Sequence, residues 1–260
     1  MASTEKVKDV VWRISVLLQD TATQFLRWPE KELIHWLNDG QAAVSKFLPL
    51  ACSQVLTVKL AAGTLQSIAA ISTSNCKLED GSTPAATIYG RQLLRPIRNM
   101  GSAGTTPGRA IRMVESDVLD NQDPDWHTRT GTTVSAVVYD ERTPHNFYVT
   151  PGVPSTSTIW MQLALTAKPT AIPNTGSAGS ELYANSGSST TTISIDDEFV
   201  QELVDYVVAR ANLKDSKHAD KAAAEFHTNR FLASLNSKVA VVTGTNPNLT
   251  VLPGITPQAA

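Results

Sequence analysis

The chain has 260 residues, of which 42% are hydrophobic and 18% charged, with a formal net charge of −2. That length supplies a sizeable buried core, and the apolar content argues against wholesale disorder. A near-neutral, slightly acidic chain has no sequence-wide attraction for nucleic acid or anionic membrane, which disfavours a DNA-wrapping role.

The first element in chain order is an amphipathic helix. Val7, Val10, Val11, Ile14, Leu17 and Leu18 recur at i, i+3, i+4 and i+7, one apolar stripe at helical period. Thr21 to Arg27 is a connection. A second helix opens at Trp28-Pro29, where proline suits the first helical position and Glu30 and Glu32 favour the positive end. Its predicted inward stripe is Leu33, Trp36, Leu37, Val44 and Phe47, and Pro49 stops it.

Residues 53 to 195 have a different character. Val55 to Leu60 alternates as a strand does, Ala62-Gly63 offers a turn, and Gln66 to Ile71 follows as a second strand. Further strands are predicted at 93–98, 109–114, 133–139, 146–150 and 158–165, punctuated by Gly, Pro, Asn and Asp. A short helix over 116–122 would be capped by Ser116 or Asp117. The Gly-, Ser- and Thr-rich run 174–192 reads as a loop or hairpin tip.

Helical period returns near the C-terminus. Asp196 or Asp197 can cap a helix whose apolar face is Phe199, Val200, Leu203, Val204, Val207, Val208 and Ala211. A polar break at 212–217 precedes a fourth helix from about His218 to Leu235. The last stretch, 238–260, carries Gly244, Pro247, Pro253, Gly254 and Pro257 and is expected not to be helical. It is nonetheless apolar, with Val239, Val241, Val242, Leu249, Val251, Leu252 and Ile255. Two uses fit such an arm: lying along a partner, or packing back on its own β-domain.

The fold class expected is α+β. A four-helix bundle forms from segments 1–52 and 196–237, an antiparallel β-rich domain over 53–195 is inserted between them, and 238–260 is an extended C-terminal arm.

Chemistry-bearing motifs are few. The sequence has no G-x-S-x-G elbow, no phosphate-binding G-x-x-x-x-G-K-[ST] loop, no H-E-x-x-H and no G-x-G-x-x-G following a strand. The five histidines, His35, His127, His145, His218 and His227, show no metal-ligand spacing. Asp117, Asp120, Asp123 and Asp125 lack the glycine and terminal glutamate of a calcium loop, and capping and turn-making account for them better. Arg91, Arg95, Arg98, Arg109 and Arg112 could form a phosphate-facing strip, but pairing with nearby acids or a neighbouring subunit is favoured. Trp12, Trp28, Trp36, Trp126 and Trp160 lie on too many elements to make a stacking platform and are assigned to core or interface packing. Cys52 and Cys76 are too few for a disulfide scaffold or a four-cysteine zinc site and read as reduced thiols. No cofactor and no metal are expected. Glu5, Lys6, Lys8 and Asp9 interrupt any leader-like apolar run, and no run approaches the ~20 residues of a bilayer span. The expectation is a soluble, intracellular product with no membrane partner.

Several blocks in succession resemble one family. Leu26-Arg-Trp-Pro-Glu-Lys-Glu-Leu-Ile-His-Trp-Leu-Asn-Asp-Gly-Gln41, Ile97-Arg-Asn-Met-Gly101, Gly108 to Val114 and Val118 to His127 are similar to segments of the head-to-tail adaptor (connector) proteins of short-tailed bacteriophages. Tyr139 to Val149, Glu202 to Ala211 and the 215–235 helix continue the series in family order. The segments 72–92 and 174–192 look longer than in the family. The resemblance implies a non-enzymatic virion protein at the head-tail junction, a homo-oligomeric ring commonly of twelve subunits. Portal protein would meet one side and a tail tube or nozzle protein the other, with double-stranded DNA passing through the centre without sequence-specific binding. It also implies that the arm docks on the portal, through Val239, Val241, Leu249, Val251, Leu252 and Ile255. A mildly acidic conduit suits passage, because each Lys or Arg contact to phosphate adds salt-sensitive attraction. The rival readings are a β-rich receptor- or glycan-binding tail component and, more remotely, a hydrolase built around His127 and the aspartates at 117–125.

Overall fold

The computed structural model describes residues 4–20, 27–173, 191–214 and 219–245, the last seven of these as helical backbone alone. The fold is α+β. Its helices are α1 (Val7–Leu17), α2 (Glu30–Phe47), α3 (Ser116–Gln122), α4 (Val200–Leu213) and α5 (Lys221–Thr245). Its strands are β1 (Ser53–Lys59), β2 (Gly63–Ser67), β3 (Cys76–Leu78), β4 (Gly90–Asn99), β5 (Arg112–Met113), β6 (Ala136–Tyr139), β7 (Asn146–Val153) and β8 (Trp160–Ala167). Two compact units result. One comprises Met1–Thr4, Pro49–Ala171 and Ile193–Asp196; the other comprises Glu5–Leu48, Ile172–Thr192 and Asp197–Ala260.

The β-unit is a sandwich of two four-stranded sheets, ordered β3-β1-β8-β4 and β2-β7-β6-β5. Leu56, Val58, Leu93, Met161, Leu163 and Leu165 of the first sheet and Val137, Phe147, Val149 and Val153 of the second form one buried cluster. Pairing is antiparallel except between β5 and β6, which run parallel, so the expectation of a purely antiparallel domain is corrected there. The predicted 109–114 strand shrinks to two residues, while β3 has no counterpart in the sequence reading.

β4 buries Gly90, Leu93, Pro96 and Asn99, a period of three that no regular strand has. The cause is a run of register shifts against β8, at Gly90/Gln92, Leu93/Arg95 and Pro96/Arg98. Each extra residue returns the following side chain to the same face. Because β4 is an edge strand, Pro96 needs no second ladder partner. Asn99 fastens this edge. Its Nδ2 donates to the Arg109 carbonyl at 3.0 Å and the Val134 carbonyl at 2.8 Å, and its Oδ1 accepts from Val134 N at 2.9 Å.

In the helical unit α4 is the central element, packed against by α1, α2 and α5. Its apolar face is as predicted, with Leu203, Val204, Val207, Val208 and Ala211 buried. Gly40 sets the approach of α2, since a Cβ there would lie 3.1 Å from the Tyr206 ring. On α2, Leu33, Ile34, Leu37 and Val44 are buried, whereas Phe47 is 53% exposed. The Phe47 ring meets Phe231 edge-on, although Ser45 and Leu48 on either side are buried.

The predicted caps differ in detail. Pro29 is the N-cap of α2 rather than its first residue. α4 is entered through a 3₁₀ turn at Asp197–Phe199, and the Asp197 carboxylate accepts the Glu5 N–H instead of capping. Glu115, not Ser116 or Asp117, precedes α3. α5 does begin on a cap: Asp220 Oδ1 accepts from Ala222 N at 2.9 Å and Ala223 N at 3.1 Å.

The largest correction concerns the C-terminal arm. α5 does not end at Leu235 but continues to Thr245, so residues 238–245 are helical rather than extended. Once a helix is nucleated each further residue adds a backbone bond. Gly244 costs about 1 kcal/mol against alanine, too little to stop propagation, and the first proline lies beyond, at 247. The loop expected at 174–192 falls almost wholly outside the described residues, as do the arm from 246 onward and His218.

Candidate functional site

The sequence assigned the binding role to Val239, Val241, Leu249, Val251, Leu252 and Ile255. The first two lie on the helical backbone of α5 and the other four outside the described residues, so what the structure offers is the base of the arm.

That base is a charged seam between α4 and α5, and nothing in the sequence reading anticipated it. Asp205 is almost fully buried; its Oδ1 meets His227 Nδ1 at 2.9 Å and its Oδ2 meets Arg230 Nε at 3.2 Å. One turn earlier, the buried Glu202 takes Lys238 Nζ at 2.8 Å and the Ser234 hydroxyl on the same oxygen, Oε1. Its other oxygen is buried without a hydrogen-bond partner. Lys238 also donates to the Glu198 carbonyl and sits 4.4 Å from the centre of the Phe199 ring. The seam orders the two helices antiparallel and fixes their register, because sliding α5 by one turn would strand two buried carboxylates. The available signal was two acids, three apart, inside the apolar run of α4.

Exposed apolar side chains gather on the outward faces of two helices. Trp12, Val16 and Leu17 of α1 are 56%, 48% and 51% exposed, and Phe226 of α5 is 61% exposed. Large apolar groups in this position on a helix mark surface that a partner can cover.

In the β-unit the aspartates make turns and anchors. Asp120 Oδ1 accepts from the buried Trp126 Nε1 at 2.8 Å, and Asp123 pairs with Arg129 at 2.9 Å. Trp126 and His127 stack at 3.6 Å, and both meet Tyr148 edge-on. Among the described residues no group of three His, Cys, Asp or Glu side chains could hold a metal ion. The expected pairing of the arginines with acids within the chain is not found for four of them. Arg95, Arg98, Arg109 and Arg112 are exposed and enter no ion pair among the described residues. Trp28, Trp126 and Trp160 are core residues, and Trp12 is on the surface.

Both cysteines are buried free thiols. Burial pushes each up to about 11, with Arg91 pulling Cys52 slightly back, so neither is a nucleophile at neutral pH. Among the described residues no helix is long and apolar enough to cross a membrane.

Comparison with known families gives one match, to the family described as SU10 adaptor protein, over residues 6–250. Comparison with curated proteins gives none.

Proposed function

The chain belongs to the SU10 adaptor protein family, a bacteriophage adaptor family whose members are virion components, and from that membership we propose that it is the head-to-tail adaptor of a short-tailed phage. In this reading it forms a closed ring, of twelve copies as is common in the resembling family, between portal and tail tube or nozzle. It has no enzymatic activity, and genome passes through its channel. The four helices α1, α2, α4 and α5 form the bundle, and 246–260 is the arm that seats on the portal.

The observation that carries this is the span of the family match, which covers both units and not one module of them. The exposed apolar faces of α1 and α5 are consistent with surfaces covered on assembly. In a ring each contact joins one face to a different face of the next copy, and closure sets the copy number.

The test is mass. Purified protein, portal rings and their mixture are weighed by native mass spectrometry. A discrete complex with a fixed number of adaptors per portal ring is expected. Free portal beside free adaptor at micromolar concentrations would refute the assignment and bring forward the receptor- or glycan-binding alternative. The exposed His127 and Tyr148 rings give that alternative its one structural support.

A further inference from the structure

The outer face of the first sheet is basic and that of the second is predominantly acidic, although Arg112 of β5, in register with the outward Ala136, places an exposed base on the second. On the first sheet, register places Lys77, Thr57, Gln162 and Arg98 in one row, and Val55, Ala164 and Arg95 in the next. These rows face away from the core, because their strand neighbours Leu56, Val58, Met161 and Leu163 face into it. The bulges in β4 are what bring Arg95 and Arg98, three apart, to the same side. Both guanidiniums are exposed and enter no ion pair among the described residues.

On the second sheet, Phe147 and Val149 point inward, so Tyr148 points outward. Trp126 and His127 lie against Tyr148, which carries the segment 115–127 over that outer face. Within 115–125 stand Glu115, Asp117, Asp120, Asp123 and Asp125 and no base. Glu115, Asp117 and Asp125 are exposed and enter no ion pair among the described residues. Acids and bases nearly balance across 49–171, so the faces differ through segregation and not through net charge.

We propose that the basic outer face of the first sheet, centred on Arg95 and Arg98, docks the acidic 115–125 segment of a second copy of this chain. Opposite charges on opposite faces of one domain define a face-to-back contact. That is a heterologous contact, which propagates in one direction and closes only when the rotation per copy allows. Face-to-face pairing of like charges is penalised, so the same residues exclude the two-fold dimer. The proposal rests on the ring reading above and specifies its lateral contact.

The experiment uses full-length chains on portal rings, with copies per ring read by native mass spectrometry at limiting adaptor. Wild type is expected to fill rings cooperatively, leaving full and empty rings side by side. Arg95→Glu/Arg98→Glu and Glu115→Lys/Asp117→Lys should each give partly filled rings and need at least tenfold more protein to fill them. The chain carrying all four changes restores opposite faces and should regain cooperative filling. Matching melting profiles establish that the exposed substitutions leave the fold intact.

Unchanged cooperativity in either paired variant, or no recovery in the fourfold one, overturns the contact while leaving adaptor function standing. If wild type does not bind portal rings, the adaptor reading fails instead. Self-association of the same four chains by sedimentation at 50 and 500 mM salt then decides the contact alone. Salt-sensitive association in wild type and the fourfold chain, absent in both paired variants, supports it, and any other pattern overturns it.

Discussion

Removing the Asp205 carboxylate should cost more than removing either of its partners. Asp205 is 1% exposed and both its oxygens are occupied. In Asp205→Ala the His227 ring, whose side chain is 16% exposed, loses its acceptor where water has little access. An unsatisfied buried polar group costs about 1–3 kcal/mol. Arg230 is half exposed and rehydrates, which limits its share to under about 1 kcal/mol. The sum, about 1–4 kcal/mol, is centred below the ~3–5 kcal/mol of a wholly buried pair because one partner reaches solvent. Arg230→Ala should cost about 1 kcal/mol, since water can follow the half-exposed guanidinium to Oδ2. The double variant should be no less stable than Asp205→Ala, because both changes remove one shared interaction. Urea unfolding followed by helical circular dichroism measures all three, and the main variant should lose roughly 2–16 °C in a thermal scan. An Asp205→Ala cost below about 1 kcal/mol, or full additivity with Arg230→Ala, would show that the seam does not hold α5 on α4.

Three further outcomes follow from the β-unit. Gly104→Ala should destabilise by at least about 1–3 kcal/mol in thermal unfolding, because φ is +71° and the new Cβ would lie 2.8 Å from the Trp160 ring. Asn99→Ala should cost about 2–4 kcal/mol in urea, since Val134 N–H and the Val134 and Arg109 carbonyls lose one buried side-chain partner together; a cost under 1 kcal/mol would mean that water replaces the amide. For Cys52 and Cys76, stability should fall as pH rises from about 9 towards 11. Over that range the unfolded thiols ionise while the folded ones, pushed up to about 11, stay protonated. Replacing both by alanine should flatten that part of the pH profile, and an unchanged slope would refute the assignment.

The parts of the fold that were legible in the sequence are those set by one dominant period. The 3.6-residue stripe of α1 emerged correctly except at Leu17, which is 51% exposed, and the broad apolar face of α4 emerged with its buried residues correct. β1 and β8 were also located, although Thr57 and Thr166 are buried beside their apolar neighbours. β4 was located but not understood: three bulges turn its alternation into a period of three, and bulge positions depend on the facing strand. Phe47 was expected to be buried because it continues the stripe three residues after Val44, but its ring stands half exposed between the buried Ser45 and Leu48. The seam was missed for a related reason. Glu202 and Asp205 look like solvent-facing acids until α5 is known to lie over them.

The antiparallel seam also says how far along α5 the anchors of the described side chains reach. Asp205 meets residues 227 and 230, Glu202 meets 234 and 238, and Glu198 meets 238 again. The contacts thus climb α5 as they descend α4, and they reach the first turn of α4 at Lys238. The seven helical residues that follow extend roughly 10 Å at 1.5 Å per residue, beyond the start of α4. Two truncations therefore separate anchorage from docking. Removing 246–260 leaves all of α5, and removing 239–260 leaves every anchor up to Lys238, so both should keep the wild-type urea midpoint. If the portal grips the arm alone, each truncation abolishes attachment equally. If it also grips the overhanging helix, the shorter deletion retains partial attachment and the longer one none. Wild-type attachment after both would locate the portal contact elsewhere on the chain and refute the arm. A lowered urea midpoint for the 239–260 deletion would instead show that the overhang packs on its own helical unit.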